Sequence, residues 1–182
     1  MHRHLLIGFL LLLVTACTFQ KPPDPVVRRP GTSPLPASVA SAPIRVEGVP
    51  SVELRGFQYS VERVYGSAEG LARAYTGGLA ARLAEGDGGR TGAPFTLRVL
   101  RLMVDETSFS SSMWTGSIYC FLESELELCD ASGTVVWTGR LIVRAADADF
   151  PSWHPYRARL KHAVADAQAE TAHWLRGKVV FP

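Results

Sequence analysis

Hydrophobic and polar residues alternate regularly in the second half of the chain, and this alternation predicts two long neighbouring β-strands. On the first strand the apolar positions are Ile118, Cys120, Leu122, Leu126 and Leu128. On the second strand they are Val135, Trp137, Leu141 and Val143. Charged or aromatic side chains lie between them, as expected for an antiparallel sheet that buries one face.

The residues between the two strands predict a hairpin with a defined register. Residues 130–133 read Asp-Ala-Ser-Gly, which is typical of a tight turn. Closing the turn between its first and last residues places Leu128 opposite Val135 and Glu123 opposite Arg140. A slip of one residue would set apolar against polar positions throughout, so we expect this register to be strongly specified.

Two other segments have helical spacing. Between a capping serine, Ser67, and a stop at Gly86, apolar residues recur every fourth position: Leu71, Tyr75, Leu79 and Leu83. A final helix is predicted to begin near Pro155, which suits a first helical turn, and to end before Gly177. The residues on its buried face are Tyr156, Leu160, Ala163, Val164, Ala167, Thr171 and Trp174. Gly77 and Gly78 interrupt the first helix, and close packing on a sheet would explain them.

Two further strands are predicted before the hairpin. Residues 51–64 alternate as a strand with a break at Gly56. Residues 94–106 change phase in their middle, which predicts either a bulge near Val99 and Leu100 or burial on both faces. A serine-rich loop is predicted over residues 107–117.

These elements define the predicted fold. Their order along residues 44–182 is β-α-β-β-β-α, which indicates an α+β domain. We predict a mostly antiparallel sheet with the two helices packed on one face.

The first sixteen residues predict a signal peptide. Basic residues at positions 2–4 precede an apolar run of ten residues at 5–14. A membrane-spanning helix needs about 20 such residues, whereas a signal peptide needs about 7–15. We therefore predict that residues 1–16 are removed; the alternative is a buried element of the domain.

The next residue predicts a lipid anchor. Residues 14–17, Val-Thr-Ala-Cys, resemble the lipobox of bacterial lipoproteins. The resemblance implies that Cys17 carries a covalent lipid and that Val14, Thr15 and Ala16 are recognised by the processing machinery. Two acyl chains suffice for stable anchoring. In Gram-negative lipoproteins an aspartate at the next position commonly causes retention at the inner membrane. Thr18 therefore indicates the outer membrane, with the domain on its periplasmic side.

Residues 17–43 are predicted to be the lipidated cysteine and a proline-rich tether. Seven of the chain's twelve prolines lie here, without helical or strand periodicity. Proline removes a backbone donor and fixes φ, so we expect an extended linker with no core element. The alternative is a proline-rich docking motif.

Composition narrows the class of protein. Hydrophobic residues make up 47% and charged residues 20% of the 182 residues, which predicts a packed core. The formal net charge is +2 without a basic patch, so we do not expect nucleic acid as a partner.

The predicted elements also resemble a known group of proteins. The segment FTLRVLRLMVDE, the hairpin containing DASGTVVWTG, and the helix after DFPSWHP resemble the C-terminal half of YajG-type envelope lipoproteins. ABC-type transport auxiliary lipoproteins and the lipopolysaccharide-assembly lipoprotein are similar in their order of elements. The resemblance covers residues 95–176 and the lipobox. It implies a non-catalytic protein that binds partners, lipids or transport complexes of the envelope.

Two aromatic clusters are candidates for a partner site. Phe150 and Trp153 precede the final helix and, with Tyr156, fit a hydrophobic staple that closes this helix on the sheet. The alternative is an exposed apolar patch that Phe150 and Trp153 form with Met113 and Trp114 of the serine-rich loop.

The remaining cysteines and the polar face of the final helix favour structural roles. Cys120 and Cys129 lie about 30 Å apart if their strand is continuous, whereas a disulfide needs Cα atoms within about 7 Å. The polar face carries His162, Asp166, Glu170 and His173. Its two histidines are about 16 Å apart along the axis, so no single metal ion joins them, and we predict a solvated surface.

Together these observations predict an outer-membrane lipoprotein with no catalytic activity, no metal and no cofactor beyond its lipid. We predict that its partner is an envelope protein or lipid and that it serves as an accessory to a transport or lipid-trafficking complex. The alternative function is a hydrolase acting on cell wall or lipid, although the sequence contains no G-x-S-x-G, H-E-x-x-H or P-loop motif.

Overall fold

The computed structural model describes residues 26–29, 34–56, 58–85, 90, 92–110, 116–147 and 155–177. The strands among them are β1 (Val26–Arg28), β2 (Ile44–Glu47), β3 (Ser51–Arg55), β4 (Phe95–Ser110), β5 (Gly116–Cys129) and β6 (Val135–Asp147). The α-helices are α1 (Gln58–Tyr65), α2 (Ala68–Ala84) and α3 (Pro155–Leu175), and a 3-10 helix covers Ala37–Ser41.

The sheet is mixed. Its order is β1-β6-β5-β4-β2, and β3 pairs with β4 as well. The strands β4, β5, β6 and β1 are antiparallel neighbours, whereas β2 and β3 both run parallel to β4. Parallel pairing requires a crossover, which α1 and α2 supply between β3 and β4. The predicted α+β class is therefore confirmed, with a parallel part that the sequence pattern did not reveal.

The core lies between one face of the sheet and the helices. All four predicted positions of α2, Leu71, Tyr75, Leu79 and Leu83, are fully buried. The predicted cap is present as well, because the Ser67 hydroxyl accepts a hydrogen bond of 3.0 Å from the amide of Gly70. Full burial of such a side chain stabilises the fold by about 1.5–3 kcal/mol.

The phase change in the second predicted strand is a β-bulge. The register of β4 against β5 shifts between Val99 and Arg101. Leu97 and Val99 before the bulge and Leu102 after it all face the core, while Leu100 is 46% exposed. The bulge keeps apolar residues buried on both sides of the irregularity, as predicted.

The predicted hairpin exists, but its predicted register is wrong by two residues. The amide of Gly133 donates to the carbonyl of Asp130, but the amide of Asp130 donates to the carbonyl of Thr134, and Cys129 therefore lies opposite Val135. A second shift at Leu128 places this residue opposite Trp137. Because the register differs from the predicted one by two residues, each side chain stays on its predicted face of the sheet, and the predicted core positions remain in the core. Val135 is the exception, since it is 46% exposed.

The prediction is also wrong after Gly56. Residues 58–65 form the helix α1 and not a continuation of the strand. Gly56 has φ of 95°, which ends β3 in a conformation that favours glycine. Helical spacing then brings Val61 into the core and packs Tyr65 against it. The serine-rich loop is shorter than predicted, because β4 extends to Ser110 and β5 begins at Gly116.

Part of the predicted tether belongs to the domain. β1 forms the edge of the sheet and pairs with β6, and the Arg29 guanidinium lies 5.2 Å from the ring centroid of Trp174. Val39 is fully buried, and the chain then reaches β2 at the opposite edge of the sheet. The prediction that residues 17–43 hold no core element is therefore wrong for these segments. No helix within the described residues has the length and apolarity needed to cross a bilayer.

Candidate functional site

The residues predicted to act in anchoring and in the aromatic patch lie outside the described residues. They are Val14, Thr15, Ala16, Cys17, Met113, Trp114, Phe150 and Trp153. Their roles stay predictions. The described side chains form a different candidate site, on the sheet.

The face of the sheet opposite the core is charged. Alternation along each strand sends one residue to the core and the next to this outer sheet face. Among the side chains that the structure describes, its arginines are Arg45, Arg55, Arg98, Arg101, Arg140 and Arg144. Its carboxylates are Glu47, Glu53, Asp105, Glu123, Glu125 and Glu127. The two charges are balanced in number, and each arginine lies on a strand beside one that carries carboxylates.

Ion pairs join these strands across the outer sheet face. Arg101 contacts both Glu53 on β3 and Glu125 on β5, the latter with an Nη1–Oε1 distance of 3.3 Å. Arg98 Nη1 lies 3.1 Å from Glu127 Oε1. Arg101 on β4 thus contacts both neighbouring strands, β3 and β5, and Arg98 links β4 to the C-terminal end of β5.

A further pair joins β6 to β5. The Arg140 Nε lies 2.5 Å from Glu123 Oε1, so the contact predicted from the sequence is present. The contact between Arg140 and Glu123 is diagonal, because the observed register places Ile142, and not Arg140, directly opposite Glu123. The Glu123 side chain is only 5% exposed, whereas that of Arg140 is 48% exposed. The guanidinium therefore covers the carboxylate from the solvent side.

The ion pairs change the acidity of their members. Hydrogen bonds from Arg101, and then from Arg55, lower the pKa of Glu53. The hydrogen bond to Glu53 raises the pKa of Arg101, and the one to Glu123 raises the pKa of Arg140. These ion pairs therefore favour the charged forms of Glu53, Arg101 and Arg140. Exposed pairs of this kind contribute about 0–1 kcal/mol each to stability.

The geometry of the outer sheet face limits what it can bind. Equal numbers of both charges do not attract a phosphate backbone or an anionic bilayer, which need an excess of positive charge. A surface that holds its arginine and glutamate side chains in ion pairs can match a protein with complementary charges. Alternation along β5 and β6 predicted that Glu123 and Arg140 lie on this face, whereas Arg98 and Arg101 were not predicted. Their alternate spacing along residues 95–105 was the available signal.

Two cysteines lie on β5, at opposite faces. Cys120 faces the core and Cys129 the outer sheet face, and both are buried. No disulfide joins them, which confirms that one continuous strand keeps them apart. Burial, and then the hydrogen bond with Glu127, raises the pKa of the Cys129 thiol. This thiol is therefore not activated as a nucleophile at neutral pH.

The polar face of α3 does not form a metal centre among the described residues. No group of three histidine, cysteine or acidic side chains converges there or elsewhere in the described part of the chain. Burial raises the pKa of Asp166 on this face. His162 and His173 lie at exposed positions on the same helix.

Comparison with known proteins gives a fold likeness and no family. No protein-family model matches the chain, and no curated protein matches it. A minor lipoprotein from Acinetobacter baumannii aligns with a TM-score of 0.44 at 10% identity, covering 74% of this chain and 91% of that one. A protein described as a lipoprotein from Caulobacter crescentus CB15 aligns at 0.40 and 19% identity, covering 80% and 97%. A PelC dodecamer from Paraburkholderia phytofirmans aligns at 0.34 and 15% identity, covering 78% and 95%. Similarity at this level does not establish a shared family or function, and the resemblance to YajG-type lipoproteins stays a prediction.

Proposed function

We propose that this chain is an outer-membrane lipoprotein of the bacterial envelope whose domain binds another envelope protein without catalysing a reaction. The anchor would be the acylated Cys17, and the domain would face the periplasm. Its partner would belong to a transport or lipid-trafficking complex, which the protein serves as an accessory.

The observation that carries the binding role is the outer sheet face. Its side chains are between one third and one half exposed at Arg98, Arg101 and Arg140. Their positions are held by pairing to neighbouring strands, so little side-chain entropy remains to be lost on binding. A surface prearranged in this way favours recognition of a partner with complementary charges over general adhesion.

A hydrolase would need a different arrangement. Its acid or base would be a carboxylate with a shifted pKa inside a cleft that holds substrate. Asp166 has a raised pKa, but it does not line the charged cleft at the ends of α2 and α3. The binding role therefore has the better structural support.

The anchor is tested by metabolic labelling with an alkyne analogue of palmitate in a Gram-negative host. The wild-type chain should take up the label and lose residues 1–16, because Cys17 is its acyl acceptor. The Cys17→Ser variant should remain unlabelled and keep its full length. A Thr18→Asp variant is the matched control: it should be labelled normally but move from the outer- to the inner-membrane fraction. Equal labelling of Cys17→Ser and wild type would refute the anchor.

The binding role is tested by photo-crosslinking in intact cells. A benzophenone amino acid at Thr138, an exposed position of β6 on the outer sheet face, should capture a discrete protein. The same probe at Lys161, an exposed position of α3, is the control and should not capture it. Reversing one charge with Arg98→Glu should reduce the yield at Thr138. Identical crosslinks from Thr138 and Lys161 would argue against this face as the binding surface.

A further inference from the structure

The charges at the centre of the outer sheet face are arranged in rows that follow the strands. The charged side chains of β5 on this face are all acidic: Glu123, Glu125 and Glu127. On one side of β5, the strand β4 carries Arg98 and Arg101, with Asp105 only at its far end. On the other side, the charged side chains of β6 on this face are Arg140 and Arg144. An acidic row therefore lies between two basic rows.

A second copy of the chain can place these rows opposite one another. Consider a two-fold axis that runs along the strands between β4 and β5, so that β5 of each copy lies over β4 of the other. This rotation keeps every residue at its own height along the strands, and Arg98 and Arg101 are level with Glu127 and Glu125. Glu127 then faces the second copy's Arg98, and Glu125 faces the second copy's Arg101. Each contact occurs twice, as in any isologous interface.

A two-fold axis across the strands gives the opposite result. It would lay each strand over the same strand of the second copy, so that the acidic row of β5 would lie over itself. Like charges that face each other across an interface disfavour association. The charge pattern is therefore self-complementary in one orientation and repulsive in the other.

We propose that the outer sheet face binds the same face of a second copy of this chain, with β5 of each copy over β4 of the other. This inference rests on the proposed function, because it names the protein that the same face recognises. Two sheets that pack face to face commonly keep their strand directions within about 30° of each other, as this arrangement requires. The arginines and glutamates of the interface are already held by ion pairs within each copy, so they form a prearranged surface.

Apolar side chains lie close to the proposed axis. Met103 on β4 and Phe121 on β5 both belong to the outer sheet face, and both are half-buried. In the pair, Phe121 of one copy is offset from the second copy's Met103 by two residues, or about 7 Å along the strand. Long side chains can bridge such an offset, so this contact adds apolar burial beside the ion pairs.

The size of the face predicts a weak contact that the membrane anchor would strengthen. Four neighbouring strands about 4.8 Å apart, each about 10 residues long, offer about 600 Å² per copy. A total of about 1,200 Å² lies at the low end of specific interfaces. The proposed axis leaves Val26 of both copies at the same end of the pair, and Cys17 lies nine residues before it. Both acyl anchors can therefore enter one bilayer, which raises the effective concentration of each copy for the other.

The test is photo-crosslinking between two differently tagged copies of the full chain in intact Gram-negative cells. In the proposed pair Thr138 on β6 lies over the second copy's Glu47 on β2, at the same height along the strands. A benzophenone amino acid at Thr138 should therefore give a product with the mass of two chains and both tags, attached near Glu47. Arg98→Glu in both copies should lower its yield by at least about tenfold, because two attractive contacts become repulsive. Glu127→Arg in both copies should do the same.

A mixed pair separates contacts between copies from contacts within one copy. When one copy carries Arg98→Glu and the other Glu127→Arg, every reversed charge meets an opposite charge across the axis. The yield should return to within about threefold of the wild type. A role of this ion pair only within each chain predicts no recovery, because both variants still lack the pair. Circular dichroism should show that both variants are folded.

Arg73→Glu is the matched control. It makes the same charge change and removes an ion pair of 2.6 Å with Glu69, but it lies on α2 and away from the sheet. Its product yield should equal that of the wild type. Absence of a product with both tags, or no recovery in the mixed pair, would overturn the proposal. Capture at Thr138 of one different protein alone would also overturn it but leave the proposed binding function standing, whereas capture of no protein would overturn both.

Discussion

Two adjacent glycines in α2 allow a direct test of how the helices pack. An ideal Cβ at Gly77 would have no atom within 4 Å. One at Gly78 would lie 2.3 Å from Nε2 of Gln168 on α3. This amide donates hydrogen bonds of 3.1 Å to the carbonyls of Ala74 and Tyr75. Gly78 is therefore the position at which Gln168 reaches the backbone of α2, and the close approach is to a helix and not to the sheet.

The expected energies follow from this geometry. Alanine at Gly77 should stabilise the domain by about 1 kcal/mol, the difference in helix propensity. Alanine at Gly78 gains the same amount but displaces the Gln168 amide. Two hydrogen bonds from a buried side chain contribute about 1–3 kcal/mol together. We therefore expect Gly78→Ala to unfold with a free energy about 1–3 kcal/mol lower than Gly77→Ala.

Urea unfolding followed by circular dichroism measures this difference. The Gln168→Ala background isolates its cause, because without the amide a methyl group at Gly78 has room. In that background Gly78→Ala should stabilise the domain by about 1 kcal/mol, as Gly77→Ala does in the wild type. Equal stabilisation by both glycine substitutions in the wild-type background would refute this account of the helix contact.

Three further outcomes are expected. Arg140→Met should destabilise the domain by about 1–2 kcal/mol in urea unfolding, because it leaves the buried Glu123 carboxylate without this partner. Arg98→Met should change stability by less than about 0.5 kcal/mol, because its partner Glu127 is more exposed. Equal effects of the two substitutions would contradict this reasoning. Hydrogen bonds from residue 132 lower the pKa of Asp130, so this turn contributes stability that is present above pH ~4 and lost as the pH falls further. The free energy of unfolding should therefore differ less between pH ~3 and pH ~6 for Asp130→Asn than for the wild type. An unchanged difference would show that the Asp130 carboxylate does not stabilise the turn. The Cys129 thiol should react with Ellman's reagent at pH ~8 only after unfolding, since burial raises its pKa; labelling at the rate of free glutathione would show that it is accessible.

Alternation along single segments was sufficient to assign faces. It identified the buried stripe of α2, the bulge after Val99, and the charged residues of β5 that lie away from the core. These features depend on neighbours within a few residues, because the side-chain period of a helix or strand is a local property. The contact between Arg140 and Glu123 was predictable for the same reason, as a shift of two residues leaves both on one face.

Long-range contacts decided the rest. The register of the hairpin depended on the bond from the amide of Asp130 to the carbonyl of Thr134 and on the shift at Leu128. Alternation with a period of two cannot distinguish registers that differ by two. Residues 58–65 became a helix because Gly56 ended β3 and the core accepted Val61 from a helix. The proline-rich segment was predicted to stand apart, yet pairing with β6 and burial of Val39 incorporate it.

The candidate sites divide in the same way. The anchor is predicted from the sequence alone, because residues 14–17, which resemble a lipobox, are contiguous in the chain. The outer sheet face comes from residues far apart in the chain. Arg101 meets Glu53 and Glu125 only because β3 and β5 both pair with β4. Tertiary structure decided this site because strand pairing, and not local periodicity, sets which side chains converge.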